Sequence, residues 1–463
     1  MKRISIFEEL NREKQKAEHY KKEADEWQKK YSEIEKKFKE LEKKFNQLLN
    51  SNTPTSNIPS YLKQYSIIRP ERGSNKRGKP KGGNGGSRKA PKHHDEKVEA
   101  KAKSCPQCNS RKIKKKDKYY FTIYDLPVLK LIKRLATVFV YCCKDCGCEF
   151  EGTHPLVPLK GQIGPRLQSF FTVLKHHFGG AYGKISEFTN DLLEESFSPN
   201  AINDVVSNVA STLKPSYDQI REKVKEAKVK QSDETGWPVN GNSWWLWVAI
   251  TVSYVYVWID EFRSSKVLDK IFGVAEDFVG VLVSDCFSAY HAFKVVSQKC
   301  WLHLLRKAKF EAKKAPKKDI SNLYVLLHEM YNSMTEFLKR NPDKSQRIWQ
   351  AILYKQKLER ICNVKWKSEQ AIGLVKRIKK YNHQWLVGII LPEVPLHNND
   401  NERHIKALIL PRKVCGGHRT EEGAKNFAII ASHLQTWRKR GHSQFKQLCE
   451  HLSDAYAGLT PSI

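Results

Sequence analysis

Three acidic residues stand where regular structure would hold a carboxylate rigidly. Asp233 closes a short stretch of strand-like composition, and Asp285 follows the apolar run Val279 to Val283. Glu402 lies near the start of a segment with helical period, on the face that also holds Ile405. These three side chains are therefore candidates for chemistry that needs fixed carboxylates.

Three such carboxylates could hold two divalent metal ions. Carboxylate oxygen is a ligand that suits Mg²⁺ or Mn²⁺. Two ions roughly 4 Å apart promote cleavage and transfer of phosphodiester bonds, because one activates the attacking oxygen and the other stabilises the leaving oxygen. The sequence therefore predicts a two-metal site formed by Asp233, Asp285 and Glu402.

Each acid also has a structural interpretation. Asp233 could be an ordinary turn residue, and its neighbour Glu234 would point to the opposite face of a strand. Asp285 could cap the turn that starts at Ser288, and Asn399-x-x-Glu402 is also the pattern of a helix capping box. Spacing does not separate these alternatives, since 50 acidic residues in a chain of 463 allow many triplets.

The segments around the two aspartates follow a definite order. Trp244 to Ile259 has the composition of two strands joined by a tight turn, and Ser264 to Phe272 has the period of a short helix. A further short strand near Cys300 runs into a basic helix. The order β-β-β-α-β, with an Asp closing the first strand and the strand after the helix, is how RNase H-like nucleases arrange their acids.

Basic residues lie close in sequence to these acids. His303 and Arg306 share one helical face, where they could order the site or hold a phosphate, or form an ordinary solvated surface. Further candidate DNA-binding residues border the last acid: Arg403, Lys406, Arg412, Lys413 and Arg419. Four tryptophans could stack on flipped bases or pack in the core: Trp244, Trp245, Trp247 and Trp258.

The charge balance predicts a polyanionic partner. The chain has 82 Lys and Arg against 50 Asp and Glu, a formal net charge of +32. Nucleic acid is the commonest partner of such a protein, with a membrane surface or a ribosome as alternatives. The longest uncharged run, Trp244 to Ile259, is shorter than the roughly 18 residues of a membrane span. We expect a soluble, cytoplasmic protein with no membrane partner.

The first hundred residues have two compositions. From Tyr20 to Leu48, apolar residues alternate spacings of four and three, which indicates a coiled coil or a single helix packed on its own domain. Residues 51–103 are rich in Pro, Gly, Ser and Lys, which predicts a flexible linker. Its positive charge could contact DNA phosphates or simply be solvated.

Four cysteines have the spacing of a zinc site. Cys105 and Cys108 form one Cys-x-x-Cys pair, and Cys143 and Cys146 form a second. Two such pairs suit one tetrahedral structural Zn²⁺ in a zinc-ribbon-like module, with strands expected at Tyr119–Tyr124 and Ala136–Tyr141. Unliganded thiols are the alternative. Cys142 and Cys148 leave open which thiols of the second cluster would bind.

The region between this module and Asp233 has helical periodicity. Ser198 and Pro199 fit a helix cap and a first-turn residue, and a buried face follows at Ile202, Val206 and Val209. A helix-turn-helix-like DNA module and an ordinary helical spacer agree equally well with this pattern.

Five short motifs are spread along the second half of the chain. They are Asp233-Glu234-Thr235-Gly236-Trp237, Ser284-Asp285 with Ala289-Tyr290, Cys300-Trp301 with His303 and Arg306, Asn398-Asn399 with Glu402-Arg403, and Arg412-Lys413 before Gly416-Gly417. Together with the layout of the first half, they resemble the DDE transposases of bacterial insertion sequences, in particular the insertion sequence sixty-six family. His397 and the stretch Gly416 to Arg419 depart from that family's common pattern.

The resemblance implies an α/β catalytic core of RNase H-like type with a helical insertion, and Asp233, Asp285 and Glu402 as its acidic triad. It implies a transposase that binds the terminal inverted repeats of its element, cuts the 3′ ends and joins them to target DNA. The expected partners are double-stranded DNA, further copies of the chain in a homo-oligomer formed through the coiled coil, and accessory proteins of the same element. The resemblance also implies a bacterial, nucleoid-associated protein. A non-catalytic zinc-dependent DNA-binding protein and a nuclease without joining activity are the rival hypotheses.

The sequence pattern and the resemblance together divide the chain into eight expected segments. The expected boundaries are 1–50 for the coiled coil, 51–103 for the linker, 104–152 for the zinc module, 153–228 for a helical domain, 229–310 for the first part of the core, 311–392 for the insertion, 393–440 for the second part of the core and 441–463 for a C-terminal helix and tail.

Overall fold

The structure is a computed structural model that describes residues 91, 93–127, 129–314 and 318–461. The expected coiled coil and most of the expected linker lie outside these residues. Within the described ranges, no helix is both long enough and apolar enough to span a bilayer.

The strands of the described residues form two sheets. A two-stranded sheet contains β1 (Val140–Cys142) and β2 (Glu149–Glu151), and a five-stranded sheet contains β3 (Val229–Val239), β4 (Asn242–Ile250), β5 (Val255–Asp260), β6 (Val281–Ser284) and β7 (Ser297–Lys299). The larger sheet has the order β5-β4-β3-β6-β7. Its first three strands are antiparallel, and β6 and β7 run parallel to β3.

The described part of the chain contains thirteen α-helices. They are α1 (Pro165–His176), α2 (Tyr182–Leu193), α3 (Pro199–Glu226), α4 (Ser265–Phe272), α5 (Ser288–Ala292), α6 (Trp301–Lys314), α7 (Lys318–Lys339), α8 (Lys344–Asn363), α9 (Glu369–Tyr381), α10 (Val387–Ile390), α11 (Asn399–Cys415), α12 (Glu421–Lys439) and α13 (Gln444–Tyr456). Short 3₁₀ turns lie at Ala275–Asp277 and Asn382–Trp385. The fold is therefore mixed α/β, as expected.

The first strand is longer than the sequence suggested. We expected Asp233 to close it, but β3 continues to Val239. Asn240 and Gly241 then form the turn, with φ angles of 49° and 75°. A two-residue turn with positive φ at both positions matches the twist of a β-hairpin, and Asn-Gly is its preferred sequence. This turn joins β3 to β4 in register and moves Asp233 to the middle of the strand.

The other expected elements of the sheet region are present. β4 and β5 are the two predicted strands, and α4 begins after Ser264 as predicted. β6 covers the expected strand before Asp285 except for its first residues, since Val279 is exposed. The strand expected near Cys300 ends one residue earlier, at Lys299. The predicted β-β-β-α-β order is confirmed.

The five-stranded sheet has a different helical layer on each face. On one face, alternate residues such as Trp247, Ala249 and Tyr256 pack with α3, α4, α12 and α13. On the other face, Leu246, Val248 and neighbouring apolar residues pack with α11 and the first turns of α12. We call these the α3 face and the α11 face. Because side chains alternate along a strand, residues two apart share a face.

Helix α3 belongs to the core of the sheet. Ser198 caps its first turn by accepting a hydrogen bond from Ala201 N, as the sequence predicted. The predicted apolar face, including Val206 and Val209, is buried in the core that α3 shares with β4 and β5. This packing gives α3 a structural role on the sheet, whereas DNA binding by the 153–228 region stays a prediction.

The predicted insertion is helical in the structure. Helices α7 to α10 share a second hydrophobic core with α6, built around Leu327, Met330, Leu374 and Trp385. Trp301 anchors this core where β7 leads into α6, and its indole nitrogen donates to Trp385 O at 2.6 Å. The insertion therefore packs beside β7, the strand that follows Asp285 in the chain.

Candidate active site

Asp233 and Asp285 lie at the same level of adjacent strands. β3 and β6 pair in parallel, with Gln231 beside Val283. Asp233 stands two residues further along β3, on the α11 face because residues two apart share a face, and Asp285 directly follows the last residue of β6. Asp233 is partly buried, and Asp285 is 4% exposed. The register of the parallel pair therefore brings the two aspartates together.

Two asparagine amides hold the start of α11 beside these aspartates. Asn398 Nδ2 donates to Ser232 O at 2.9 Å, and Asn401 Nδ2 donates to Val248 O at 2.9 Å. Ser232 precedes Asp233, and Val248 is the cross-strand partner of Asp233. Both asparagines are fully buried. The amides therefore fix the first turn of α11, which carries Glu402, on both sides of Asp233.

The structural interpretations of the acids have different outcomes. The capping-box interpretation is wrong, because α11 is preceded by Asn398 without a side-chain cap and Glu402 bonds elsewhere. Asp285 does accept a 2.8 Å hydrogen bond from Phe287 N, so it also shapes the turn before α5. Asp233 is not a turn residue, since it lies within β3.

The three carboxylates influence one another electrostatically. Burial raises the pKa of Asp233 well above its ordinary value. The charges of Glu234, Asp285 and Glu402 raise this pKa further. Neighbouring negative charges oppose ionisation of a carboxyl group, so a cation among these carboxylates would be favoured.

Glu402 is paired with basic side chains of α6. Its Oε1 accepts a hydrogen bond from the Arg306 guanidinium and lies 3.7 Å from His303 Nε2. Burial lowers the pKa of His303, and the nearby charge of Arg306 lowers it further. The structure thus brings the predicted pair His303 and Arg306 to the third acid of the site.

Glu234 points to the face of the sheet opposite Asp233, as alternation along the strand requires. Its Oε1 accepts hydrogen bonds from Arg263 Nε at 3.0 Å and from the same guanidinium's NH2 at 2.7 Å, and its Oε2 accepts from Tyr290 Oη at 2.8 Å. The Arg263 guanidinium also lies over the rings of Trp245 and Phe287. This buried network ties β3 to α5, which follows Asp285.

The far end of α11 is fixed to the same strand. Arg412 is buried and donates hydrogen bonds to Gly236 O and Thr235 Oγ1. Gly417 has a φ of 124°, and a Cβ there would lie 2.3 Å from Pro238 O, so only glycine fits. The next residue, His418, accepts a 2.9 Å hydrogen bond at Nδ1 from Trp237 Nε1. These contacts give Arg412 a structural role, and its DNA contact stays a prediction.

The other predicted DNA-binding residues lie at the surface. Arg403, Lys406 and Lys413 are exposed on α11, and Arg419 is exposed after it. Trp247 is fully buried in the core and Trp258 is partly buried with its indole bonded to Asp260. Core packing therefore accounts for Trp247, and base stacking is open only to less buried tryptophans.

The acids fit a divalent metal by donor type but do not form a finished site. Across the described ranges, no three His, Cys, Asp or Glu side chains are arranged to hold a metal ion. Carboxylates suit Mg²⁺ or Mn²⁺, and a cation would relieve the repulsion that raises the pKa of Asp233. Glu402, however, is paired with Arg306 in this structure.

The four cysteines are not assembled into a zinc site in the described residues. Each pair forms a local knuckle: Asn109 N donates to Cys105 O, and Gly147 N donates to Cys143 O, both at 2.8 Å. The strand expected at Tyr119–Tyr124 is absent, and the second shrinks to β1. The arrangement does not fit a bound Zn²⁺, and the zinc site stays a prediction from spacing.

Asn398, Asn401 and Arg263 hold positions in the structure that the sequence pattern did not predict. A signal was available for the first two, since buried amides directly before a helix-borne acid need backbone partners. Nothing in the spacing of Arg263 and Glu234, which are 29 residues apart, indicated their pairing. It depends on where the chain turns after β5.

The mixed α/β fold, with a five-stranded sheet and helices on both of its faces, is compatible with the core of a DDE transposase. Over residues 160–426, more than half of the chain, the sequence matches the Transposase IS66 family. The chain belongs to this family and is a transposase at that level. The matched range includes the three acids and excludes the cysteine pairs. No curated protein matches the chain.

Proposed function

We propose that this protein cuts and joins DNA at the ends of its own insertion sequence, with Asp233, Asp285 and Glu402 as metal-binding catalytic residues on an RNase H-like core. The observation that carries the proposal is the parallel register of β3 and β6, which sets the two aspartates abreast on the face where α11 brings Glu402. Family membership supports the reaction class.

The residues have separate tasks in this proposal. Bound Mg²⁺ or Mn²⁺ would activate the attacking oxygen and stabilise the leaving oxygen. Asp233 and Asp285 hold fixed positions on the sheet, whereas Glu402 completes the ligand set from the helix. Arg306 is exposed and could move from Glu402 to a DNA phosphate. Arg403, Lys406 and Lys413 extend a positive surface along α11 for the DNA backbone.

The first half of the chain would supply end recognition and pairing. We propose that the region before Asp233 binds the terminal inverted repeats and that the N-terminal heptad segment pairs two copies. These parts rest on the sequence pattern, and the charge of +32 supports contact with DNA.

Strand transfer with a labelled element end and Mg²⁺ tests the proposal. Asp233→Ala, Asp285→Ala and Glu402→Ala should each lower the rate of joining by about a thousandfold or more, because each removes a metal ligand. Asp400→Ala is the matched control, since this acid lies on the same helix but pairs with Lys439 and Arg403.

Triad variants that join ends at the wild-type rate would overturn the assignment. Cleaved but unjoined products from the wild-type protein would instead identify a nuclease. Binding without cleavage under any metal condition would favour the non-catalytic DNA-binding protein.

A further inference from the structure

The helical insertion has a positive surface with no role so far. Residues 311–392 contain 17 Lys and Arg against 7 Asp and Glu. Four cations lie in the last turns of α9, namely Lys376, Arg377, Lys379 and Lys380, whereas its acid Glu369 lies in the first turn. Cations at a helix C-terminus also favour the helix dipole, so charge alone does not make a binding surface.

One side of α9 reaches the turn that follows Asp285. We call the positions of Asp233, Asp285 and Glu402 together the acidic edge. Tyr381 Oη donates a 3.0 Å hydrogen bond to the carbonyl of Cys286, the residue after Asp285. The Tyr381 ring also makes an edge contact with His291 of α5, at a centroid distance of 5.4 Å. The end of α9 is therefore anchored on the turn that Asp285 begins.

Arg377 lies one turn before Tyr381 on the same side of α9, so it faces this turn. Arg377 is partly buried, and no acidic side chain among the described residues pairs with it. A guanidinium without an acidic partner, on the side of α9 that contacts the turn after Asp285, is available to an anion.

Two lysines add to the positive field at this turn. Burial lowers the pKa of His291 to about 4, and the charges of Lys380 and Lys294 contribute to that shift. Lys294 is exposed after α5, and Lys380 is partly buried on α9. On the other side of the acids, Arg306 contacts Glu402. The acidic edge thus has cations beside both Asp285 and Glu402.

We propose that Arg377 of the insertion binds a backbone phosphate of the DNA that crosses the acidic edge on the Asp285 side, and that Lys294 and Lys380 strengthen this contact. The location of the DNA rests on the proposed function. A guanidinium suits phosphate because it offers several N–H donors in one plane. The contact is independent of base sequence, as phosphate contacts generally are.

Metal-free binding of a fluorescein-labelled duplex of arbitrary sequence, followed by anisotropy at several salt concentrations, tests this proposal. Arg377→Ala should raise Kd about five- to tenfold at low salt and lower the slope of log K against log salt by about one. Arg377→Lys keeps the charge and should recover most of the affinity at low salt.

The matched control is Lys379→Ala. This lysine is exposed on the same helix but donates to Asn363 within the insertion. It should leave the salt slope unchanged. Melting temperatures of all variants should agree within a few degrees, which separates a lost contact from a damaged fold.

Equal affinities and slopes for Arg377→Ala and Lys379→Ala would overturn the proposal. So would a slower reaction for Arg377→Ala with unchanged binding, because Arg377 would then act on Asp285 rather than on DNA. The test needs no metal and no chemistry, so it is independent of the acidic triad. Asp233→Ala protein should show the same loss of binding when Arg377→Ala is added, even if the triad assignment fails.

Discussion

The side chain of Asn398 donates a 2.9 Å hydrogen bond to the backbone carbonyl of Ser232, the residue before Asp233. Asn401 makes the equivalent bond to Val248, which lies opposite Asp233 on β4. The position of Glu402, the third acid, therefore depends on two buried amides rather than on the acid itself.

Replacing either amide should loosen Glu402 more than it loosens the fold. Asn398→Ala and Asn401→Ala should each lower the joining rate at saturating Mg²⁺ by about ten- to a hundredfold, because a displaced ligand weakens the site. Each variant should lose about 1–3 kcal/mol in the free energy of unfolding, because a buried backbone carbonyl is left unpaired. Gln168→Ala is the control, because it removes a buried amide of α1 that donates to the Ile163 carbonyl before that helix. An equal loss of activity in the control would show that general destabilisation is the cause.

Arg306 should compete with metal for Glu402. Removing it by Arg306→Ala frees the carboxylate, so Mn²⁺ should bind about three- to tenfold more tightly, whereas DNA should bind more weakly. Calorimetric titration of Mn²⁺ without DNA measures the first effect. Arg403→Ala is the control for the Mn²⁺ titration, because this neighbouring exposed cation contacts Asp400 instead of Glu402. Weaker Mn²⁺ binding by Arg306→Ala would contradict the proposed competition.

The Arg263 and Glu234 pair should contribute strongly to stability. Arg263→Ala leaves Glu234 buried beside Tyr290 without its countercharge, which should cost about 3–5 kcal/mol in the free energy of unfolding. Urea unfolding followed by circular dichroism measures this loss. Lys184→Ala breaks an exposed pair with Glu187 and should change stability by less than about 1 kcal/mol. Similar losses for the two variants would mean that the buried pair is already neutral or hydrated.

Buried histidines should make the fold sensitive to acid. Burial lowers the pKa of His433 to about 3, and its Nε2 lies 2.8 Å from Ser216 Oγ. The unfolded chain then binds a proton near pH 6.5 that the folded chain binds only near pH 3, so stability falls as pH drops between these values. The expected slope is about 1.4 kcal/mol per pH unit for this group.

His433→Gln should reduce that slope, even if it lowers stability at neutral pH. Unfolding free energies between pH 7 and pH 5 give the comparison. His442→Gln, at an exposed position, should leave the slope unchanged. An unaltered slope in His433→Gln would show that other groups dominate the acid response.

The zinc prediction has a direct test. If the spacing of the four cysteines marks a zinc site, metal analysis of the purified full chain gives about one zinc per chain, and the double variant Cys105→Ser with Cys143→Ser loses it. Less than about half a zinc per chain would agree with the separated cysteine pairs of the structure and remove the site. The variant Cys362→Ser changes a buried thiol in the insertion and is the control.

Much of the local structure could be predicted from the sequence. The cap at Ser198, the hairpin of β4 and β5, and the helical insertion follow from side-chain periodicity and turn residues. The end of the first strand was misplaced, because the apolar pattern weakens after Asp233 while the Asn240-Gly241 turn lies further on. The strands between the cysteine pairs were expected from β-branched and aromatic content, but those side chains are exposed and have no buried face to stabilise a strand.

The sequence by itself determined which chemical groups are present: three acids fit for divalent metal, basic residues near them, and motifs of one transposase family. Only the tertiary structure decided that Asp233 and Asp285 stand side by side, that Asn398 and Asn401 hold the helix of Glu402, and that Arg412 is buried. The physical reason is that strand register and helix packing arise from contacts between residues far apart in the chain. Local spacing fixes a residue's face but not its neighbours across the sheet.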